Sequence, residues 1–325
     1  MIRKIVARQW IWLAIALVIA VAALSTIGDV RHLGERLDQF EWRALGVAIA
    51  LATANYALRF VRWQLYLTRQ SVSVPLASSV VVFGAGLSLS ITPAKLGELV
   101  KSYLLREMHG VAAARTAPIV VAERVSDLVA LLVLAVIGVA VYGVDARFVI
   151  AAGVLVGIGL VLLAWQRPTR ALIDLVTRPR RFARLRTPLH ETLGHLATLC
   201  RPWPLLVSTL IAVPAWGCEC IGFWVICNAF PATDVRLGFA AAIYAGTTIA
   251  GALSFLPGGL GVTEGAMTLA LVDGSQVDRA TAVAATLLAR LATLWFAVAL
   301  GVVFLAIARA RIRSRNRSGT TERIA

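Results

Sequence analysis

Apolar residues fall in runs of roughly 16–26, long enough to cross a bilayer as helices rising 1.5 Å per residue. The runs predict spans at about 10–27, 42–67, 117–143, 148–165, 203–227 and 280–308. Two further runs end differently. Residues 76–92 pass into ITPAKLGELVKSYLLRE, and residues 237–256 pass into FLPGGLGVTEGAMTLAL. Each meets a segment of Pro, Gly and charge in place of a polar loop.

Composition agrees with a membrane class. Of 325 residues, 59% are hydrophobic and only 15% charged, against about 45–50% and about 25% in soluble domains. The charge is lopsided, with 32 Lys+Arg against 17 Asp+Glu and a net charge of +15. More than half of the cations sit in three places: Arg3, Lys4 and Arg8; the stretch from Arg167 to Arg201; and the tail from Arg309 to Arg323. That clustering fits cytoplasmic flanks under the positive-inside rule and disfavours a nucleic-acid partner, which would need a basic soluble face. The start of the chain resembles a signal peptide, but Trp10 and Trp12 and an apolar stretch of about 18 residues favour an uncleaved first span. Arg59, Arg62 and Arg69 cluster at the inner end of the second span, where snorkelling to headgroups accounts for them.

Counting crossings from these flanks leaves residues 76–106 and 237–273 entering and leaving on one side each, the first from inside and the second from outside. Both then read as re-entrant hairpins of two half-helices. An internal repeat supports the pairing: Leu89, Ser90, Pro93, Leu96 and Gly97 recur 164 positions later as Leu253, Ser254, Pro257, Leu260 and Gly261. Arg124 and Arg290 lie in the next spans, 166 apart. Inverted repeats with broken helices near the midplane mark transporters. The expected fold class is therefore all-α, a polytopic transmembrane bundle with inverted repeats and two re-entrant hairpins. A single membrane domain is expected over 1–308: repeat 1 at about 42–165, a basic cytoplasmic loop at about 166–202, and repeat 2 at about 203–308. A disordered basic tail is expected over 309–325.

Seven ionisable residues fall at membrane depth: Glu98, Glu123, Arg124, Asp127, Glu219, Glu264 and Arg290. Facing lipid unpaired, they would cost on the order of 20 kcal/mol together, so they pair or line a wet cavity. Glu123 and Asp127 share a helix face, with Arg124 in reach of Asp127; an internal salt-bridge network and a working site both fit. After Pro93 and Pro257 new half-helices begin, and their amide groups and positive dipole ends suit a phosphate. Gly258, Gly259 and Gly261 allow close backbone approach, although Gly and Pro at the two tips would also make a plain tight turn. Glu98 and Glu264 can cap those half-helices, carry a coupling proton or receive an amine. Lys95 and Lys101 are expected near the wet end of the first hairpin, recruiting anionic lipid. Glu219 has no partner assignable from sequence. The four cysteines and four histidines show no metal-ligand spacing, and no cofactor or metal is expected.

The segments PAKLGE, ERVSD and LPGGLGVTEG resemble the flippase-like membrane domain of lysylphosphatidylglycerol synthetase, the multiple peptide resistance factor, over about residues 40–308. The resemblance rests most on Pro93, Gly97, Glu98, Glu123, Arg124, Asp127, Pro257, Gly258, Gly259, Gly261 and Glu264, which together with Arg290 form the expected substrate-binding set. It implies translocation of an aminoacylated phospholipid, or another polyprenyl- or lipid-linked amphiphile, between leaflets. The best-known members carry a large soluble aminoacyl-transferring domain, and the stretch after Arg309 is too short to be one. The expectation is thus a lipid flippase and not an enzyme, set in the inner membrane with both termini cytoplasmic. Its partners would be membrane phospholipid or polyprenyl lipid, with anionic headgroups at the cytoplasmic face and oligomers allowed. A secondary transporter of a small anion, or a membrane-embedded lipid-modifying enzyme, is the alternative.

Overall fold

The computed structural model describes residues 30–142, 166–179, 182–275 and 277–321, with scattered positions between 150 and 161. The expected span at 10–27 lies outside the described residues, as do Arg3, Lys4 and Arg8; most of 148–165 does too.

The described residues form helices and no strand. In chain order they are α1 (Val30–Asp38), α2 (Trp42–Arg69), α3 (Leu76–Leu87), a 3-10 stretch (Pro93–Leu99), α4 (Val100–His109) and α5 (Ala113–Tyr142). Then come α6 (Gln166–Val176), α7 (Arg186–Leu199), α8 (Pro202–Cys227) and α9 (Leu237–Leu253). A 3-10 turn (Pro257–Gly259) leads into α10 (Val262–Ser275), α11 (Arg279–Arg290), a π-helical turn (Leu291–Trp295) and α12 (Phe296–Thr321). Among these, α2, α8 and the rod that joins α11 to α12 are long and apolar enough to cross a membrane. The result is an all-α membrane bundle.

Helices α3 and α9 are apolar but only 12 and 17 residues long. Each passes through a short turn into a proline, where the helix cannot resume in line. The ring of a proline pushes the preceding residue out of the helical region, and Thr92 (φ −70°, ψ 153°) and Leu256 (φ −72°, ψ 150°) are both extended. The chain then turns back, through α4 in the first case and α10 in the second, so each apolar run forms a helical hairpin with a proline tip.

The packing of the two halves is an exchange. Helix α2 lies against α8, α3 against α12, α9 against α5, and the two tips against each other. Each hairpin therefore leans on a long helix of the other half. Small residues permit this closeness. A Cβ on Gly138 of α5 would stand 2.6 Å from the Cβ of Ala242 on α9, and one on Gly301 of α12 would collide with the backbone of Leu87 and Ser88 at the end of α3. Around these seams the core is rich in alanine, with Trp63, Tyr66 and Phe223 as its large buried members.

Helices α6 and α7 lie beside this bundle. Asp174 of α6 accepts from His190 Nε2 and from Arg186 Nε of α7, both at 2.8 Å, and these hydrogen bonds hold its carboxyl below the usual range. The last helix does not stop at Arg309. It continues to Thr321, and Arg311 Nη1 donates to Ala77 O at 3.4 Å.

Candidate functional site

Where the two tips meet, α2, α5, α8, α9 and the rod surround a cavity of about 360 Å³. Its floor is polar and its mouth is apolar. On one side lies a buried ion-pair network built from several elements. Glu98, on the first tip, receives Arg59 of α2 (3.5 Å), Lys101 of α4 (3.2 Å) and Arg124 of α5 (3.4 Å). Lys101 also holds Glu123 at 2.5 Å. Asp127 receives Arg62 at 2.8 Å and Arg124 at 3.1 Å, and Trp216 of α8 donates its indole N–H to the same carboxylate at 3.0 Å. Glu98, Lys101, Glu123 and Arg62 are each 1% exposed or less. Lys95 stands apart from these bonds. It lines the cavity with its ammonium 5.4 Å above the Trp216 ring. With Glu219, which also lines the cavity, five cations face four carboxylates, an excess of one positive charge.

The second tip is held more simply. Arg290 Nε donates to Glu264 Oε1 and its Nη2 to the Gly258 carbonyl, both at 2.6 Å. Gly261 N donates to Glu264 Oε2 at 2.7 Å. Glu98 and Arg124 are 26 residues apart, and so are Glu264 and Arg290. The same acid–arginine pair therefore closes each half. Gly258, Gly259 and Gly261 all have positive φ, and a Cβ on Gly258 would be 3.2 Å from Ile91, beside the first tip. After Arg290 the π-helical turn leaves carbonyls off register, and the Thr293 carbonyl accepts from Tyr56 OH at 2.7 Å.

Two features differ from what the motifs suggest. Five of the tip amides are already bonded within the tips. Lys95 N and Gly97 N donate to Thr92, Gly259 N to Leu256 O, Leu260 N to Pro257 O, and Gly261 N to Glu264. Positive charge reaches the cavity through side chains instead: Arg59, Lys95, Arg124 and Arg290 line it. Glu98 is also no lone acid awaiting a proton or an amine, because three cations already surround it.

A family model described as the lysylphosphatidylglycerol synthase TM region matches residues 11–301. The chain belongs to this family. It is similar to two membrane proteins of Methanothermobacter thermautotrophicus, each named a UPF0104 membrane protein. One is 25% identical, with 88% of this chain and 91% of the relative covered. The other is 23% identical, with 91% of this chain and 92% of the relative covered.

Within this family member, the motif residues Glu98, Glu123, Arg124 and Asp127 lie in one network, and Gly258, Gly261, Glu264 and Arg290 in one clamp at the cavity's other side. Pro93, Gly97, Pro257 and Gly259 shape the two tips. Arg59 and Arg62 are not snorkelling cations; they are 5% and 0% exposed. Lys101 is not near water either. The signal for α2 was present as Asn55, Arg59, Arg62 and Tyr66, polar side chains recurring at helical spacing along one face, all buried. Glu219, unpaired in the sequence, accepts from Tyr244 OH at 2.7 Å and lines the cavity. Among the described residues no group of three His, Cys, Asp or Glu is placed to hold a metal ion.

Proposed function

We propose that the protein is a lipid translocase that passes an amphiphile with an anionic headgroup between the two leaflets. The observation that carries this is the mouth of the cavity. Leu96, Leu99, Val121, Phe255 and Leu256 line it and remain exposed, Phe255 by 68% and Leu96 by 58%. A site for a small soluble anion needs a polar, water-filled approach. An apolar mouth on a cationic floor suits a molecule whose head is charged and whose chains stay in hydrocarbon.

In this reading the two hairpins are re-entrant and inverted with respect to the membrane, and their tips meet near its centre. The headgroup phosphate rests against Arg124 and Lys95, with Arg59 behind them, while the acyl chains pass between Leu96 and Phe255. Arg290 is engaged with Gly258 and Glu264 and holds the second tip in shape. Alternate loosening of the two tips exposes the head to one side and then the other. The protein is a translocator without chemistry of its own, in a bacterial-type inner membrane with both termini cytoplasmic.

The test is transfer of a fluorescent phosphatidylglycerol between leaflets of proteoliposomes, with uptake of soluble phosphate and product analysis run in parallel. The wild-type protein is expected to move the lipid, and Lys95→Gln with Arg124→Gln to slow it at least tenfold. Unchanged transfer in that variant overturns the site. Phosphate uptake without lipid transfer favours the small-anion transporter, and a chemically altered lipid favours an enzyme.

A further inference from the structure

Away from the central cavity, α6 divides its surface sharply. Arg167, Arg170 and Asp174 fall on one side of the helix and Leu172, Leu175 and Val176 on the other, and those three apolar side chains are more than half exposed. A helix so divided lies along a bilayer surface with its apolar face sunk to the boundary of headgroups and chains. The Asp174 bonds fasten α6 to α7, α7 packs on α5, and Gln70 Nε2 at the end of α2 reaches the His195 carbonyl at 3.4 Å. The end of α2 and the start of α8 are thereby set at headgroup level.

At that level a surface recess of about 520 Å³ opens between Arg69, Leu199, Arg201 and Trp203. Both guanidiniums are exposed, and among the described residues no acid pairs with either. Below the recess Trp203, Leu206 and Leu210 succeed one another along one exposed face of α8. Two cations above an apolar stripe fit a phosphate diester that carries acyl chains.

We propose that this recess binds an anionic phospholipid of the host bilayer, its phosphate between Arg69 and Arg201 and a chain along Trp203, Leu206 and Leu210. This site is separate from the transport cavity and does not rest on the transport reading.

The experiment uses the full chain in nanodiscs of phosphatidylcholine containing increasing amounts of brominated phosphatidylglycerol. Quenching of Trp203 is read as the difference between wild type and Trp203→Phe. Half-quenching is expected at an about 30-fold higher lipid fraction in the Arg69→Gln, Arg201→Gln variant, since each cation near an anionic surface is worth about fivefold. Arg69→Lys with Arg201→Lys should recover most of the loss, and Arg124→Gln in the central cavity should leave the curve where it was. The proposal is overturned if the double glutamine variant matches wild type, or if brominated phosphatidylcholine quenches as well. Displacement of the quenching by inorganic phosphate would assign the recess to a free anion instead. A null result in the lipid-transfer assay would leave this curve unchanged.

Discussion

At the first tip the position two residues after the proline is Lys95; at the second it is Gly259, 164 residues on. Both are left-handed, with φ of 53° and 66°. Glycine takes that conformation without strain, whereas a lysine there costs about 1–2 kcal/mol. Around Lys95 stand the buried ion-pair network and Trp216; around Gly259 stand Gly251 of α9 and Thr263, so close that a Cβ on Gly259 would lie 2.7 Å from the Thr263 hydroxyl. One turn of backbone thus serves two purposes. The first tip accepts strain to project a charge into the cavity, and the second gives up its side chain to bring helices together.

The largest break in this comparison comes from the network itself. Arg62→Leu leaves Asp127 buried with one cation fewer, and losing one partner of a buried pair costs about 3–5 kcal/mol. Arg290→Leu should cost less, about 1–3 kcal/mol, because its pair with Glu264 is 12–13% exposed and water from the cavity can compensate. Thermal unfolding in a fixed detergent ranks the two. Equal losses would mean that the first network is no more buried in solution than the second clamp.

The helix seams give the next effect. Gly301→Ala drives a methyl into the backbone of α3, while Gly138→Ala meets chiefly the Ala242 methyl and the Gly238 carbonyl. Overpacking of this kind costs about 1–3 kcal/mol, and Gly301→Ala should be the worse of the two because the α3 end has less freedom to withdraw. The same unfolding measurement decides it. A Gly138→Ala loss that exceeds the Gly301→Ala loss would place the tighter seam at the second hairpin.

Much of this arrangement is legible in the residues. Runs of the right length announce the helices, and the two Leu-Ser…Pro…Leu-Gly segments announce the paired tips. Acids and arginines too costly to face lipid announce a network around Glu98, Glu123, Arg124 and Asp127. What stays hidden is partnership across long separations. Arg59 and Arg62 find Glu98 and Asp127 on other elements, and nothing local to α2 distinguishes a cation about to be buried from one reaching back to headgroups. The free amides expected at the tips mislead for a related reason. Helix starts do expose amides, yet Thr92 and Glu264 lie near enough to accept them, and only the turn geometry reveals that.

The smallest effect is also the sharpest, because it changes sign between the tips. Lys95→Gly removes the left-handed strain and should raise stability by about 1 kcal/mol, while lipid transfer falls roughly fivefold for the lost cation. Gly259→Ala should do the reverse to stability, lowering it by about 1–3 kcal/mol through strain and the crowding at Thr263 and Gly251. Lys95→Ala separates the two contributions at the first tip, since it deletes the charge and keeps the strained backbone. Its transfer rate should match that of Lys95→Gly and its stability that of wild type. If Lys95→Gly instead loses stability, the ammonium over Trp216 holds the tip together and is not spare for a ligand. The first tip would then be a structural clamp like the second, and the anion-binding role would pass to Arg124 alone.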